Sequence, residues 1–307
     1  MLSLYKLDAL FICINNALHI LEKVTRSDGK ETTYDYDDGN RLTGFTDVLG
    51  TVNYKYDNNS NIIEVSDEKG TIKREYDSLN RVSKYTDYNG NEIKYSYDSL
   101  GNLISLTYPG GEIVRYEYDK ANQLISTTDF NENISKNEYD KNGRLTKTTR
   151  ANGTVLEKTY DKLGRVTLEI DKNSSSEIVN KYEYKYDGKG NVTQETSQYE
   201  LEKASVVNTE MTYGKGNRLL TFNGEEVKYD TEGNMIYGPL TDIMTEFKSD
   251  YRNRLIEVGS SKYEYDAENN RISKTENGVK SEYIIDTNNA LSQVLIEKDS
   301  TGKYRKY

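Results

Sequence analysis

The sequence predicts an all-β fold: a long coiled strip of antiparallel β-hairpin repeats, each stacking on its neighbours as in a solenoid. Three observations predict it. A short motif recurs about every 21 residues along nearly the whole chain. Tyrosines alternate at period two just before most copies, the mark of a strand with one packed face. No helix-period pattern appears after residue 25.

The motif is Tyr-Asp, two variable residues, Gly or Asn, Arg or Asn, then an aliphatic residue. It begins at Tyr36-Asp37, Tyr56-Asp57, Tyr76-Asp77, Tyr97-Asp98, Tyr118-Asp119, Tyr139-Asp140, Tyr160-Asp161, Tyr186-Asp187, Tyr229-Asp230 and Tyr265-Asp266. Tyr213 opens a variant without the Asp, and the copy from Ser249 (SDYRNRL) is degenerate. Successive starts lie 20, 20, 21, 21, 21, 21, 26, 27, 16, 20 and 16 residues apart, so the first half is regular and insertions and deletions follow Tyr160. Asn15–Leu21 (NNALHIL) reads as a decayed copy one step before Tyr36. Residues 15–307 are therefore predicted to be one repeat strip of about 12 units, with 1–14 outside it.

Each element follows from its residues. Tyr34, Tyr54, Tyr95, Tyr116, Tyr184 and Tyr263 sit two before the motif Tyr and define a strand face. The motif Asp caps a turn by accepting backbone N–H groups. Gly101, Gly143, Gly164, Gly190 and Gly233, or Asn in other copies, suit a positive φ four residues after the Tyr. Arg144 and Arg165 follow directly, and an aliphatic residue then returns to the packed face. A second turn signal lies midway through most units, as in DVLG50, DEKG70, DYNG90, YPGG111 and RANG153. Two turns per unit leave strands of about six residues. Stacked units of this kind are stabilised by nearest-neighbour terms.

Composition narrows the function classes. There are 28 Tyr, 5 Phe and no Trp, and the hydrophobic set is only 34%. Tyr must supply much of the buried area, with its hydroxyl kept near water. One Cys (Cys13) and one His (His19) exclude an intrachain disulfide, cysteine-rich zinc sites and His-based metal clusters. Cys13 and His19 are not read as a catalytic pair, because no third group orients them. The net charge of −10 disfavours nucleic acid and permits a basic partner on an acidic concave face. No stretch is apolar enough for a membrane helix, and the apolar run Ala9–Ile14 lacks a clean signal-peptide anatomy.

The repeated Asp residues read as turn caps, since EF-hand and calcium β-roll spacings are missing. The Gly-Lys-Gly runs at Gly188 and Gly214 lack Walker spacing, and no carboxylate pair stands out for glycoside hydrolysis. Catalytic, metal and cofactor sites are all expected to be none. The Tyr ladder reads as the packing seam between repeats; the competing reading is a surface for stacking sugars.

This repeat resembles the RHS or YD-repeat family, which includes bacterial Rhs polymorphic toxins, wall-associated toxins, the C component of Tc toxins and animal teneurins. The resemblance covers about 290 residues and rests on at least nine motif copies. It implies a non-enzymatic β-strip that spirals into a secreted or cell-surface shell around a carboxy-terminal toxin. The implied partners are a toxin or effector polypeptide and the remaining shell segments. The segment Tyr283–Glu297 is similar to the stretch before the family's core. Pro109 and Pro239 are the only prolines and neither follows Asp, so the DPxG self-cleavage motif is not in these residues. The expectation is a repeat-only shell segment whose effector lies elsewhere. The alternatives are a cell-surface glycan-binding module and a truncated relic, the latter drawing on the irregular copies at Asn15 and Ser249.

Overall fold

The computed structural model describes residues 2–7, 10–15, 20–26, 28–198, 209–288 and 291–307, with side chains from residue 20 onward. Among them there is no α-helix; one 3-10 turn spans Lys215–Asn217 and almost all other regular structure is short antiparallel strand. The chain is all-β, as the repeat predicts. It divides into two compact units, residues 1–93 with 207–307, and residues 94–206.

In the first unit, strands Leu2–Leu7, Leu10–Asn15, Ile20–Arg26, Glu31–Tyr36, Leu42–Asp47, Gly50–Tyr56, Ile62–Asp67, Gly70–Tyr76 and Val82–Thr86 each pair antiparallel with the next. The residues predicted to precede the repeats thus lie partly in the same ladder. The later part of this unit runs as a three-stranded sheet from Met211 and a nine-stranded sheet from Lys228 to Lys306. In the second unit the strands from Leu103–Thr107 to Val192–Ser197 pair antiparallel in sequence order.

Register places one residue set on one face throughout the early strip. The pairs Tyr34↔Phe45, Phe45↔Val52, Tyr54↔Val65, Val65↔Ile72 and Arg74↔Tyr85 put these side chains, with the motif tyrosines, on a common Tyr face. The core of this unit begins there: Val52, Val65, Ile72 and Ile93 are at most 1% exposed. The late strands add buried Val258, Ile272, Leu295 and Ile296. So aliphatics fill the deepest positions, and Tyr surrounds them.

The second unit is different. Tyr95, Leu106, Tyr108 and Val114 are buried at its start. Further along, the same face carries Thr127, Ser135, Asn137, Thr148 and the Lys158–Glu169 ion pair (2.9 Å), and Val192–Ser197 is exposed along its length.

Ile72→Ala should therefore cost about 2–5 kcal/mol, the usual range for emptying a packed aliphatic site. Leu163→Ala, at a turn position 75% exposed, should leave stability unchanged. Thermal denaturation of both variants checks the assignment.

Candidate functional site

The feature that repeats is a joint between neighbouring units. The hydroxyls of nine motif tyrosines donate to the carbonyl of the aliphatic residue one unit earlier. Tyr36 reaches Leu21 (2.8 Å), Tyr56 reaches Leu42 (2.7 Å) and Tyr76 reaches Ile62 (2.8 Å). Tyr118, Tyr139 and Tyr160 do the same to Leu103, Leu124 and Leu145. So do Tyr186 to Val166, Tyr229 to Leu219 and Tyr265 to Leu255. The hydroxyl thus satisfies a carbonyl next to the turn.

That carbonyl is available because each motif Tyr closes a β-bulge. Register slips between Asp35 and Tyr36, Lys55 and Tyr56, Ser96 and Tyr97, and Thr159 and Tyr160, and likewise at the other copies. A bulge turns the strand and raises its local twist. The extra residue follows the aliphatic position, as Thr43 does between Leu42 and Gly44.

The Asp then builds the turn. Oδ1 of Asp161 accepts the N–H groups of Leu163 and Arg165, and Oδ2 accepts Nε of Arg165 (2.7 Å). The same pattern serves Asp37, Asp77 and Asp140 with Arg41, Arg81 and Arg144. Asp57, Asp98, Asp187, Asp230 and Asp266 bond an Asn amide instead, and Asp119 makes the two backbone bonds alone. Gly101, Gly143, Gly164, Gly190 and Gly233 all have positive φ, as do Asn40, Asn80, Asn122 and Asn269, with Ser60 taking the place once.

The Arg points forward. Arg144 Nη1 donates to the Asp161 carbonyl (3.0 Å) and its guanidinium lies 4.8 Å from the Tyr160 ring centre. Arg165 does the same to Asp187 and Tyr186. The units that carry the Arg are therefore tied backward by a hydroxyl and forward by a guanidinium.

In the first unit the Tyr face also receives later turns of the same chain. The degenerate copy from Ser249 places Tyr251 and Arg252 on it. Arg252 pairs with Asp47 through Nε (2.8 Å) and Nη2 (3.2 Å), with side chains 12% and 2% exposed. Its guanidinium also lies 4.9 Å from the Phe45 ring centre. Thr32 donates to the Tyr251 hydroxyl (3.3 Å), and Arg26 stacks on the Tyr251 ring. The next turn brings Glu268 to Arg74 (2.6 Å), beside Tyr85, and Lys69 donates to the Tyr265 carbonyl. Burial pushes the Tyr85 phenol far up and raises the carboxyls of Asp87 and Asp266.

Asp47, Arg74, Tyr251, Arg252 and Glu268 were not singled out by the motif. Arg252 and Glu268 occupy its variable position, and only their departure from the neighbouring turn residues marks them. His19 lies outside the described residues, and Cys13 pairs with Lys23 in the backbone ladder. No group of three His, Cys, Asp or Glu among the described residues is arranged to hold a metal ion. The chain's acidity is not concentrated on the second unit: residues 94–198 carry 15 Lys and Arg against 16 Asp and Glu.

The family described as RHS Repeat matches residues 76–113, 97–134 and 139–176. The match covers roughly a third of the chain, and the Tyr-Asp joint continues on both sides of it, so the resemblance to RHS repeats read from the motif is borne out there. Among solved structures it is similar to the TcdB2-TccC3-Cdc42 crystal structure, with a TM-score of 0.65 and 13% identity over 98% of this chain and 21% of that one. It is also similar to the Photorhabdus luminescens Tc holotoxin pore (TM-score 0.58, 14% identity, 98% and 20% covered). For TcdB2-TccC3 the values are 0.57, 15%, 96% and 21%. The likeness shows a shared fold, and the chain spans about a fifth of those chains' length. No curated protein matches it.

Gly164→Val should destabilise the second unit by about 1–2 kcal/mol, because a β-branched residue resists φ of +82°. Gly143→Val should do the same, its Cβ also falling 2.9 Å from Gln123 Nε2. Gly164→Asn should cost little, since Asn fills that position in other copies. Thermal melts of the three variants decide.

Acid should loosen the turns. Bonds to the Asn102 side chain hold Asp98 below the usual carboxylate range, bonds to Arg144 do so for Asp140, and the Arg165 backbone N–H leads for Asp161. A depressed folded pKa stabilises above the unfolded value of about 3.9 and is lost as pH falls through the folded value. Asp87 and Asp266, raised by burial, act in the opposite sense, since acid relieves the cost of their charge. The melting midpoint of the second unit should hold from pH 7 to 5 and fall below about pH 4.

Proposed function

We propose that the chain is a wall segment of an Rhs-type toxin shell, a structural rather than catalytic part that encloses or presents an effector polypeptide. The match to RHS repeats within a strip that shares its fold with Tc toxin complexes carries this reading. Those structures are named for TcdB2 and TccC3, so other shell segments and a toxin polypeptide are the partners it supports. A chain spanning a fifth of such a protein serves as part of a wall. Secretion or surface display goes with that role, and no helix among the described residues is long and apolar enough to cross a membrane.

The Tyr face of the first unit and the corresponding face of the second differ in character. The early Tyr face is taken up by the chain's own turns at Arg252 and Glu268. The face of residues 94–198 is largely polar and near neutral, with Thr127, Asn137 and Thr148 among its side chains. A lining of this kind gives an enclosed polypeptide little apolar surface to adhere to.

The test is to express the complete reading frame containing residues 1–307 with its neighbouring coding sequence, and to digest the purified product. We expect a polypeptide that resists protease until the β-strip is opened by denaturant. A downstream polypeptide cut as fast as in free form would overturn the proposal.

A further inference from the structure

The two late turns that enter the Tyr face carry opposite charges, and so do their receivers. Arg252 on the first turn meets Asp47 of the early strip, whereas Glu268 on the second meets Arg74. Both pairs are largely shielded from water: the side chains are 12% and 2% exposed in the first, 14% and 20% in the second. Around them, Thr32 and Arg26 meet Tyr251 at the first turn and Lys69 meets the Tyr265 carbonyl at the second. Both sites are aromatic, with Tyr34, Phe45 and Tyr54 at the first and Tyr76 and Tyr85 at the second. A repeat strip is prone to pairing one unit out of place, because every unit presents a similar face.

We propose that the inverted charge order of Asp47–Arg252 and Arg74–Glu268 sets the register in which the late repeats dock on the early ones. One repeat is two strand spacings, or about 10 Å across the sheet. Sliding the late turns one repeat along the strip carries Arg252 toward Arg74. Sliding them the other way carries Glu268 toward Asp47. Either error buries like charges and leaves both partners unmatched, which costs far more than the pair contributes in its correct place. The tyrosines and aliphatics supply the burial, and the charge order rejects the wrong alignment.

This accounts for the irregular copy at Ser249. Its turn carries Tyr251-Arg252 where neighbouring copies carry other residues, and both side chains have partners on the early strip. The inference rests on the fold alone and stands whether or not the chain encloses an effector.

Exchanging the second pair tests it. Arg74→Glu and Glu268→Arg singly should each lower the melting midpoint by about 5 °C or more. The double variant should regain most of that loss, because the pair is remade. It should nevertheless lose alignment, since both turns now present arginine to a carboxylate and a one-repeat slide meets opposite charges. Spin labels on Asn53→Cys and Lys262→Cys, in a Cys13→Ser background, report the alignment from two exposed positions. The parent should give one distance, and the double variant a second population displaced by about 10 Å. Failure of the double variant to regain stability would overturn the pairing. Regained stability with one unchanged distance would overturn the register role.

Discussion

The strip depends on a tyrosine hydroxyl that, in nine copies, ties a repeat to the carbonyl of the one before. A two-stranded hairpin is marginal by itself in water, so a strip of hairpins is stable only as far as neighbours are coupled. The motif Tyr couples them twice over: its ring lies on the common face, and its hydroxyl closes an acceptor that the bulge has withdrawn from the strand ladder. A hydrogen bond of this kind contributes about 1 kcal/mol net, and leaving the carbonyl unmet costs more. The arginines add the forward half of the joint by reaching the next turn and the next ring. The motif is therefore one joint written once per unit, and its residues need each other: without the Asp-built turn, the Arg has no fixed place from which to reach forward.

Deep burial arises where the strip meets itself. Val52, Val65 and Ile72 are closed from water in the unit where turns at Arg252 and Glu268 land on the same face. Where the face is polar, as around Asn137 and Thr148, the side chains bond each other across the strands and are only half-buried. The low aliphatic content of the sequence follows from this division. Only part of the strip needs a core of Val and Ile; elsewhere the joints and cross-strand pairs hold the sheet.

Local features were legible in the sequence. The repeat, the two turns per unit, the Asp caps and the positive φ of Gly164 or Asn80 follow from residues within seven positions of one another. The hydroxyl's acceptor was not legible, because it lies 10 to 20 residues back and becomes free only through a bulge that the pattern does not announce. The docking of late on early repeats was less legible still. Asp47 and Arg252 are 205 residues apart, and Arg74 and Glu268 are 194 apart. Arg252 and Glu268 hold the motif's variable position and Asp47 and Arg74 lie outside it, so the copy at Ser249 read as decay when its turn is in fact paired. The copy at Asn15 gains no such account, since residues 16–19 lie outside those described.

Hydrogen exchange followed by mass spectrometry on Tyr160→Phe tests the joint most directly, because the substitution removes one hydroxyl and keeps the ring. The coupled-joint account predicts faster exchange confined to strands Leu145–Thr149 and Val155–Tyr160 and the turn between Asp161 and Arg165, with distant repeats unchanged. Exchange indistinguishable from the parent across those strands would mean that the hydroxyl does not couple the repeats, and would contradict the account.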